Sequence, residues 1–78
     1  MEIKVLGTGC ANCKALYATV EKVVNELGIQ AEIIKEEDLM KIMEYNVMTL
    51  PALVINGKVV AKGRINVREV KELIASNQ

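Results

Sequence analysis

Thr49-Leu50-Pro51-Ala52-Leu53-Val54-Ile55-Asn56-Gly57-Lys58 is the stretch that decides the fold of this 78-residue chain. Ala52 to Ile55 is wholly apolar and rich in branched side chains, which predicts a strand. Asn56-Gly57 is the preferred dipeptide of a two-residue hairpin turn, because both central residues take positive φ there. Lys58-Val59-Val60-Ala61 then reads as the returning strand. Pro51, the single proline, stands immediately before the first strand. Cis bonds form about 5–6% of X-Pro bonds, so a trans proline opening a strand is the commoner arrangement. A cis bond here would leave the Leu50 N–H and C=O facing outward, free to pair with an extended peptide.

Upstream, Glu2-Ile3-Lys4-Val5-Leu6 alternates polar and apolar and predicts a central strand that ends at Gly7. Cys13, Leu16, Tyr17, Val20, Val23, Val24 and Leu27 recur at helical spacing and form one stripe. That stripe predicts a helix over residues 11–27, with Gly28 where a C-cap glycine belongs. Ala31 to Ile34 reads as a second strand, which makes strand, helix and strand a right-handed parallel crossover. Glu36-Glu37-Asp38 places acids at a helix N-terminus. Leu39, Met40, Ile42 and Met43 supply its short apolar face, so a second helix is predicted over residues 38–45. After the hairpin, Gly63 breaks the strand. Asn66 then N-caps a last helix, with Glu69 three residues on and Val67, Val70, Leu73 and Ile74 as the stripe. Ser76-Asn77-Gln78 is expected to fray. The order β-α-β-α-β-β-α predicts an α/β fold: a single domain over residues 1–78, with a four-stranded mixed sheet and helices on both faces.

Composition narrows the function. Ten basic and ten acidic residues balance, and two Tyr are the only aromatic residues. That leaves neither the charge nor the stacking surface of a nucleic-acid binder. Lys58, Lys62, Arg64, Arg68 and Lys71 load the C-terminal third and read as a solvated rim. No basic segment precedes an apolar run as in a signal peptide, and no apolar stretch approaches the roughly 20 residues that span a bilayer. We therefore expect no membrane association, a cytoplasmic setting and a monomer. With no Phe or Trp, the core must be aliphatic. Met40, Met43 and Met48 are assigned to it as filler, and Tyr17 to packing.

The two cysteines are Cys10 and Cys13, in Gly7-Thr8-Gly9-Cys10-Ala11-Asn12-Cys13. At this spacing they indicate thiol–disulfide chemistry first and metal binding second. Cys10 falls at the helix entrance, where unpaired N–H groups and the positive end of the dipole favour a thiolate. Lys14 lies one turn on and can add to that effect. Cys13 falls one turn in, on the buried stripe. Such a pair can divide the work: Cys10 attacks a substrate disulfide, and Cys13 resolves the mixed disulfide.

With CxxC at a strand-to-helix junction and Thr49-Leu50-Pro51 opening a hairpin, the chain resembles the thioredoxin-like superfamily, and within it the small glutaredoxin-like redox-active disulfide proteins. Residues 49–58 look much like the glutaredoxin stretch from cis proline through hairpin, and Gly63 falls where that family has glycine after the last strand. The resemblance implies a cis Pro51 beside the cysteines. It implies a Cys10–Cys13 redox disulfide with Cys10 as nucleophile and Cys13 as resolving thiol. Gly9, Ala11, Asn12, Thr49, Leu50, Pro51 and Gly63 become the substrate-binding residues, and Leu50 the substrate-pairing edge. It implies no cofactor beyond the disulfide, no bound metal, and as partners a protein disulfide substrate and an unidentified reductase. Three features depart from the family. Gly9 replaces the Trp before the first cysteine, Ala11-Asn12 lacks the intervening proline, and the first strand, whose charged residues are Glu2 and Lys4, does not show the family's buried acid beneath the disulfide. Gly63 is followed by Arg64-Ile65-Asn66 rather than the paired glycines of glutaredoxins, which weighs against glutathione as a partner.

Two other readings stay open. The Gly7-to-Cys13 loop followed by an amphipathic helix also resembles the small copper-chaperone domains, and two thiolates can hold Cu(I) or share Zn²⁺. Those domains enter a hairpin directly after the first helix, whereas residues 36–47 here look helical, and Thr8 stands where they often carry methionine. The other alternative is a thioredoxin-like adaptor that binds through its proline edge with the cysteines idle.

Overall fold

The computed structural model describes residues 1–63 and 65–77; Arg64, assigned above to a solvated rim, and Gln78, expected to fray, lie outside the described residues. The elements are β1 (Glu2–Leu6), α1 (Ala11–Leu27), β2 (Glu32–Glu36), α2 (Leu39–Met43), β3 (Ala52–Ile55), β4 (Lys58–Lys62) and α3 (Val67–Ser76). They follow the predicted order. The sheet runs β2-β1-β3-β4, so β1 is central. It pairs parallel with β2 across the α1 crossover and antiparallel with β3. β3 and β4 form the hairpin, whose turn residues Asn56 and Gly57 have φ of 51° and 82°.

The two-residue period of the strands sorts their side chains into two cores. Ile3, Val5, Leu53 and Ile55 meet Leu16, Val20, Val23 and Val24 of α1 and Val70 and Ile74 of α3. On the opposite face Leu6, Ala52 and Val54 meet Ile42 of α2 and Val47. Each fully buried Val or Leu contributes about 1.5–3 kcal/mol, which is how a core without Phe or Trp holds this small fold. The predicted α1 stripe is buried at Cys13, Leu16, Val20, Val23 and Val24, with Tyr17 and Leu27 half-buried along its edge. Lys4 projects from β1 on the α2 face. Its Nζ donates to the Tyr45 hydroxyl at 3.2 Å and lies 3.8 Å from Glu2 Oε1. The Tyr45 bond, with help from nearby carboxylates, raises the Lys4 pKa above its usual value.

The structure corrects the sequence reading in five places. β2 is shifted to Glu32–Glu36 from residues 31–34. Its parallel register runs on to Leu6↔Glu36, and the Gly7 N–H donates to the Glu36 carbonyl at 3.0 Å. Lys35 and Glu36 are polar, so hydropathy ended the strand too early. α2 is shorter than residues 38–45, with Asp38 as its N-cap, its Oδ1 accepting from the Met40 N–H at 2.9 Å. Met40, Met43 and Met48 are not core filler: they are 76%, 62% and 97% exposed. A five-residue helix turns one side chain, Ile42, into the core. Val67 is likewise exposed, as the first residue of α3, and Ser76 does not fray but closes that helix. Asn66 caps α3 as predicted, its Oδ1 accepting from the Glu69 N–H at 2.9 Å.

Candidate active site

The site begins where β1 ends. Gly7 and Gly9 let the chain turn from the sheet into α1, and Gly9 sits at φ 85°, a conformation costly for other residues. Cys10 is the helix N-cap, in extended backbone, and its carbonyl accepts from the Lys14 N–H at 3.0 Å. Its Sγ accepts from the Cys13 N–H at 3.1 Å. Cys10 and Cys13 form a disulfide, their Cα atoms 5.0 Å apart, inside the usual range for such bridges. Cys10 is exposed and Cys13 is 5% exposed. The helical stripe thus gives the two sulfurs different access to solvent.

The proline segment closes over this pair from β3. The Leu50–Pro51 peptide bond is cis, and Pro51 is fully buried. A Cβ placed on Gly7 would stand 3.9 Å from Pro51 Cβ and would overlap Cys13 Sγ. Gly7 therefore lies between the Cys13 sulfur and the proline, with no room for a side chain. Gly63 joins the same cluster: its N–H donates to the Pro51 carbonyl at 2.7 Å, and a Cβ there would sit 3.5 Å from Thr49 Cγ2. The Leu50 N–H and C=O take no part in the turn and loop backbone hydrogen bonds among the described residues.

Gly7 was legible only as a turn glycine, yet its constraint is steric rather than conformational, since its φ is not positive. We expect Gly7→Ala to destabilise the oxidised protein by about 1–3 kcal/mol, the typical cost of overpacking, measured by urea unfolding. An unchanged midpoint would mean that Cys13 does not press on Gly7.

Of the residues expected to bind substrate, Gly9, Ala11 and Asn12 surround Cys10, while Thr49, Leu50, Pro51 and Gly63 gather on the proline side. The structure adds residues that the sequence did not single out. An open groove of about 460 Å³ runs from Pro51 and Asn12 between α1 and α3, past Leu16, Thr19, Ile65 and Val67. Helical periodicity placed α1 and α3 separately. It carried no signal that the start of one would face the start of the other.

No group of three or more Cys, Asp, Glu or His side chains among the described residues could hold a metal ion. No described helix is long and apolar enough to cross a membrane.

Comparison with known proteins gives concordant matches. The family model described as thioredoxin domain matches residues 1–75. A thioredoxin of Methanothermobacter thermautotrophicus is 37% identical over 76 residues, covering 96% of this chain and 99% of that protein. A thioredoxin of Methanocaldococcus jannaschii is 41% identical over 75 residues, covering 95% of this chain and 86% of that protein. Among solved structures, thioredoxin 1 from the thermophilic eubacterium Thermosipho africanus superposes with a TM-score of 0.65 at 22% identity, covering 97% of this chain and 92% of that one. At that identity the likeness speaks for the fold alone.

Proposed function

The chain belongs to the thioredoxin domain family and is a thiol–disulfide oxidoreductase, and from that premise we propose how its residues divide the exchange. Cys10 is the nucleophile. One observation carries this assignment: Cys10 is the exposed N-cap of α1 and its Sγ already accepts the Cys13 N–H. A thiolate at that atom keeps the hydrogen bond and gains the helix dipole, both of which favour the anion. Cys13 is buried one turn in and resolves.

In the forward direction the reduced protein attacks a substrate disulfide. Cys10 Sγ bonds to one substrate sulfur and the other leaves as a thiolate. Cys13 Sγ then bonds to Cys10 Sγ and expels the second substrate sulfur. The substrate gains two electrons, and the protein loses them in forming the Cys10–Cys13 bridge. The Leu50 N–H and C=O pair with the extended backbone around the substrate sulfur, because their hydrogen-bonding capacity is unused among the described loop bonds. Gly9, Ala11, Asn12, Thr49 and Gly63 form the surrounding walls.

The family implies protein disulfides as substrates and a reductase as electron donor. We further place the work in the cytoplasm, by a monomer. A chain with two cysteines, both in one redox pair, suits a compartment that keeps thiols reduced.

The test is a redox titration of metal-free protein combined with alkylation. The expected result is one two-electron transition, with Cys10 alkylated before Cys13 near neutral pH. Modification of Cys13 first would reverse the roles. A pair that formed no bridge yet took up Cu(I) tightly would favour the soft-metal reading instead.

A further inference from the structure

Among the described residues five large hydrophobic side chains are exposed, and four of them, Leu39, Met40, Met43 and Met48, fall between positions 39 and 48. Single exposed apolar residues are ordinary on a protein surface, whereas a cluster marks a place of contact. The exchange described above makes no use of these four. They also lie apart from the α1–α3 groove, because α2 packs on the opposite face of the sheet from α1 and α3.

The fold brings this surface to the edge of the redox site. Leu39 and Met43 are one turn apart on α2, and Met40 precedes Met43 by three, so the three share one helix face while Ile42 turns into the core. The segment is fastened beside the cysteines at both ends. Ahead of α2, Glu37 Oε2 would stand 3.5 Å from a Cβ on Gly9, the residue before Cys10. Beyond α2, Val47 is buried with Ile42 and Leu6. Met48 follows it, two residues before Leu50, whose backbone groups are offered to the substrate. A partner chain paired with Leu50 passes Met48 on the side that leads to α2.

The charge around the patch indicates its partner. Residues 36–46 hold four acids, Glu36, Glu37, Asp38 and Glu44, and one base, Lys41, in a chain of zero net charge. Glu37, Asp38 and Glu44 are exposed, and among the described residues none of the three is in an ion pair. The unbranched, polarisable side chain of methionine packs against apolar groups of varied shape. We propose that Leu39, Met40, Met43 and Met48 dock the protein whose disulfide Cys10 attacks, and that with the acids around them they select disulfides flanked by apolar and cationic side chains. The apolar flanks cover the methionines. The lysines or arginines face the carboxylates, which also speeds the encounter. Docking makes and breaks no covalent bond, and exchange then proceeds at Cys10 and Cys13 as described above. The inference rests on the assignment of Cys10 as nucleophile toward protein disulfides.

The test uses reduced protein and short peptides whose central cysteine is joined to 2-nitro-5-thiobenzoate, followed by stopped flow. The Cys10 thiolate attacks the peptide sulfur, that disulfide breaks, and the coloured thiolate leaves with the bonding pair. Three peptides carry Lys with Leu, Glu with Leu, or Lys with Ser on both sides of the cysteine. N-acetylcysteinamide joined to the same group is the reference without flanks. Each rate is divided by that of the same compound with 2-mercaptoethanol, which removes intrinsic reactivity. The Lys-Leu peptide is expected to react on the order of 10-fold faster than the Glu-Leu peptide at low salt, the low end of electrostatic steering. That ratio should approach unity at about 1 M salt, where the screening length is about 3 Å, and Glu44→Lys should lower it. The Lys-Leu peptide should also react on the order of 10-fold faster than the Lys-Ser peptide, a modest apolar discrimination. This second ratio should collapse in protein carrying both Met43→Gln and Met48→Gln, with Tm retained. Equal rates for the Lys-Leu and Glu-Leu peptides, a charge ratio unmoved by Glu44→Lys, or a Leu-over-Ser ratio that survives the double substitution would overturn the docking surface. So would a dimer of the parent protein that the double substitution returns to monomer, since the face would then belong to a second copy. A reference compound that released no thiolate, or a first adduct on Cys13, would instead overturn the nucleophile assignment.

Discussion

Cys10→Ser protein is expected to show no disulfide exchange above background, a loss on the order of 1,000-fold or more, as for removal of any attacking group. Cys13→Ser protein should fail one step later, with substrate still attached. The contrast follows from position. Cys10 is exposed at the N-cap of α1, so a substrate sulfur can reach it, whereas Cys13 is 5% exposed and packed against Gly7. Serine at position 10 removes the attacking thiolate, because a hydroxyl stays protonated at neutral pH and cannot replace it. Serine at position 13 leaves that thiolate intact but removes the only internal sulfur that can release the substrate. Incubation with a protein disulfide should therefore yield a stable mixed disulfide at Cys10 in Cys13→Ser, seen as a mass increase that dithiothreitol reverses. No adduct should form in Cys10→Ser. Trapping in Cys10→Ser but not in Cys13→Ser would invert the mechanism. Equal trapping in both would mean that burial of Cys13 does not separate the roles.

The parts of this mechanism that were legible in the sequence are those written locally. The stripe from Cys13 to Leu27 gave α1 to the residue, and with it the unequal burial of the two sulfurs. Asn56-Gly57 gave the hairpin, because a turn with two positive φ values admits few dipeptides. The misreadings came from elements whose limits are set by partners. β2 continues through Lys35 and Glu36 because β1 continues alongside it, and hydropathy does not record a neighbour. Met40, Met43 and Met48 looked like core because an apolar residue near a helix usually is. Whether a short helix can bury more than one side chain depends on the sheet beneath it. The packing around Gly7 and Gly9 shares this cause. The closeness of Gly7 to Pro51, and of Glu37 to the loop before Cys10, joins residues more than twenty positions apart. Only the assembled sheet brings them together.

That sheet has little stability to spare, and Leu53→Ala should consume much of it. A 78-residue domain is stabilised by about 4–12 kcal/mol at typical values per residue. Leu53 is 0% exposed, at the centre of β3 between Val5 and Ala61, and it packs into the layer shared with α1 and α3. Truncating a buried leucine removes its transfer free energy and leaves a cavity, at a cost of about 2–5 kcal/mol. Each kcal/mol lowers Tm by about 4–8 °C in a domain of this size. Urea unfolding of oxidised protein should show the midpoint falling accordingly with the slope retained. Met48→Ala, at a side chain 97% exposed, should stay within about 0.5 kcal/mol of the parent. A loss under about 1 kcal/mol at Leu53 would contradict the packing of β3. Such a result would also reach the site, because Leu53 lies two residues after Pro51 and its anchoring holds the proline segment against Gly7 and Cys13.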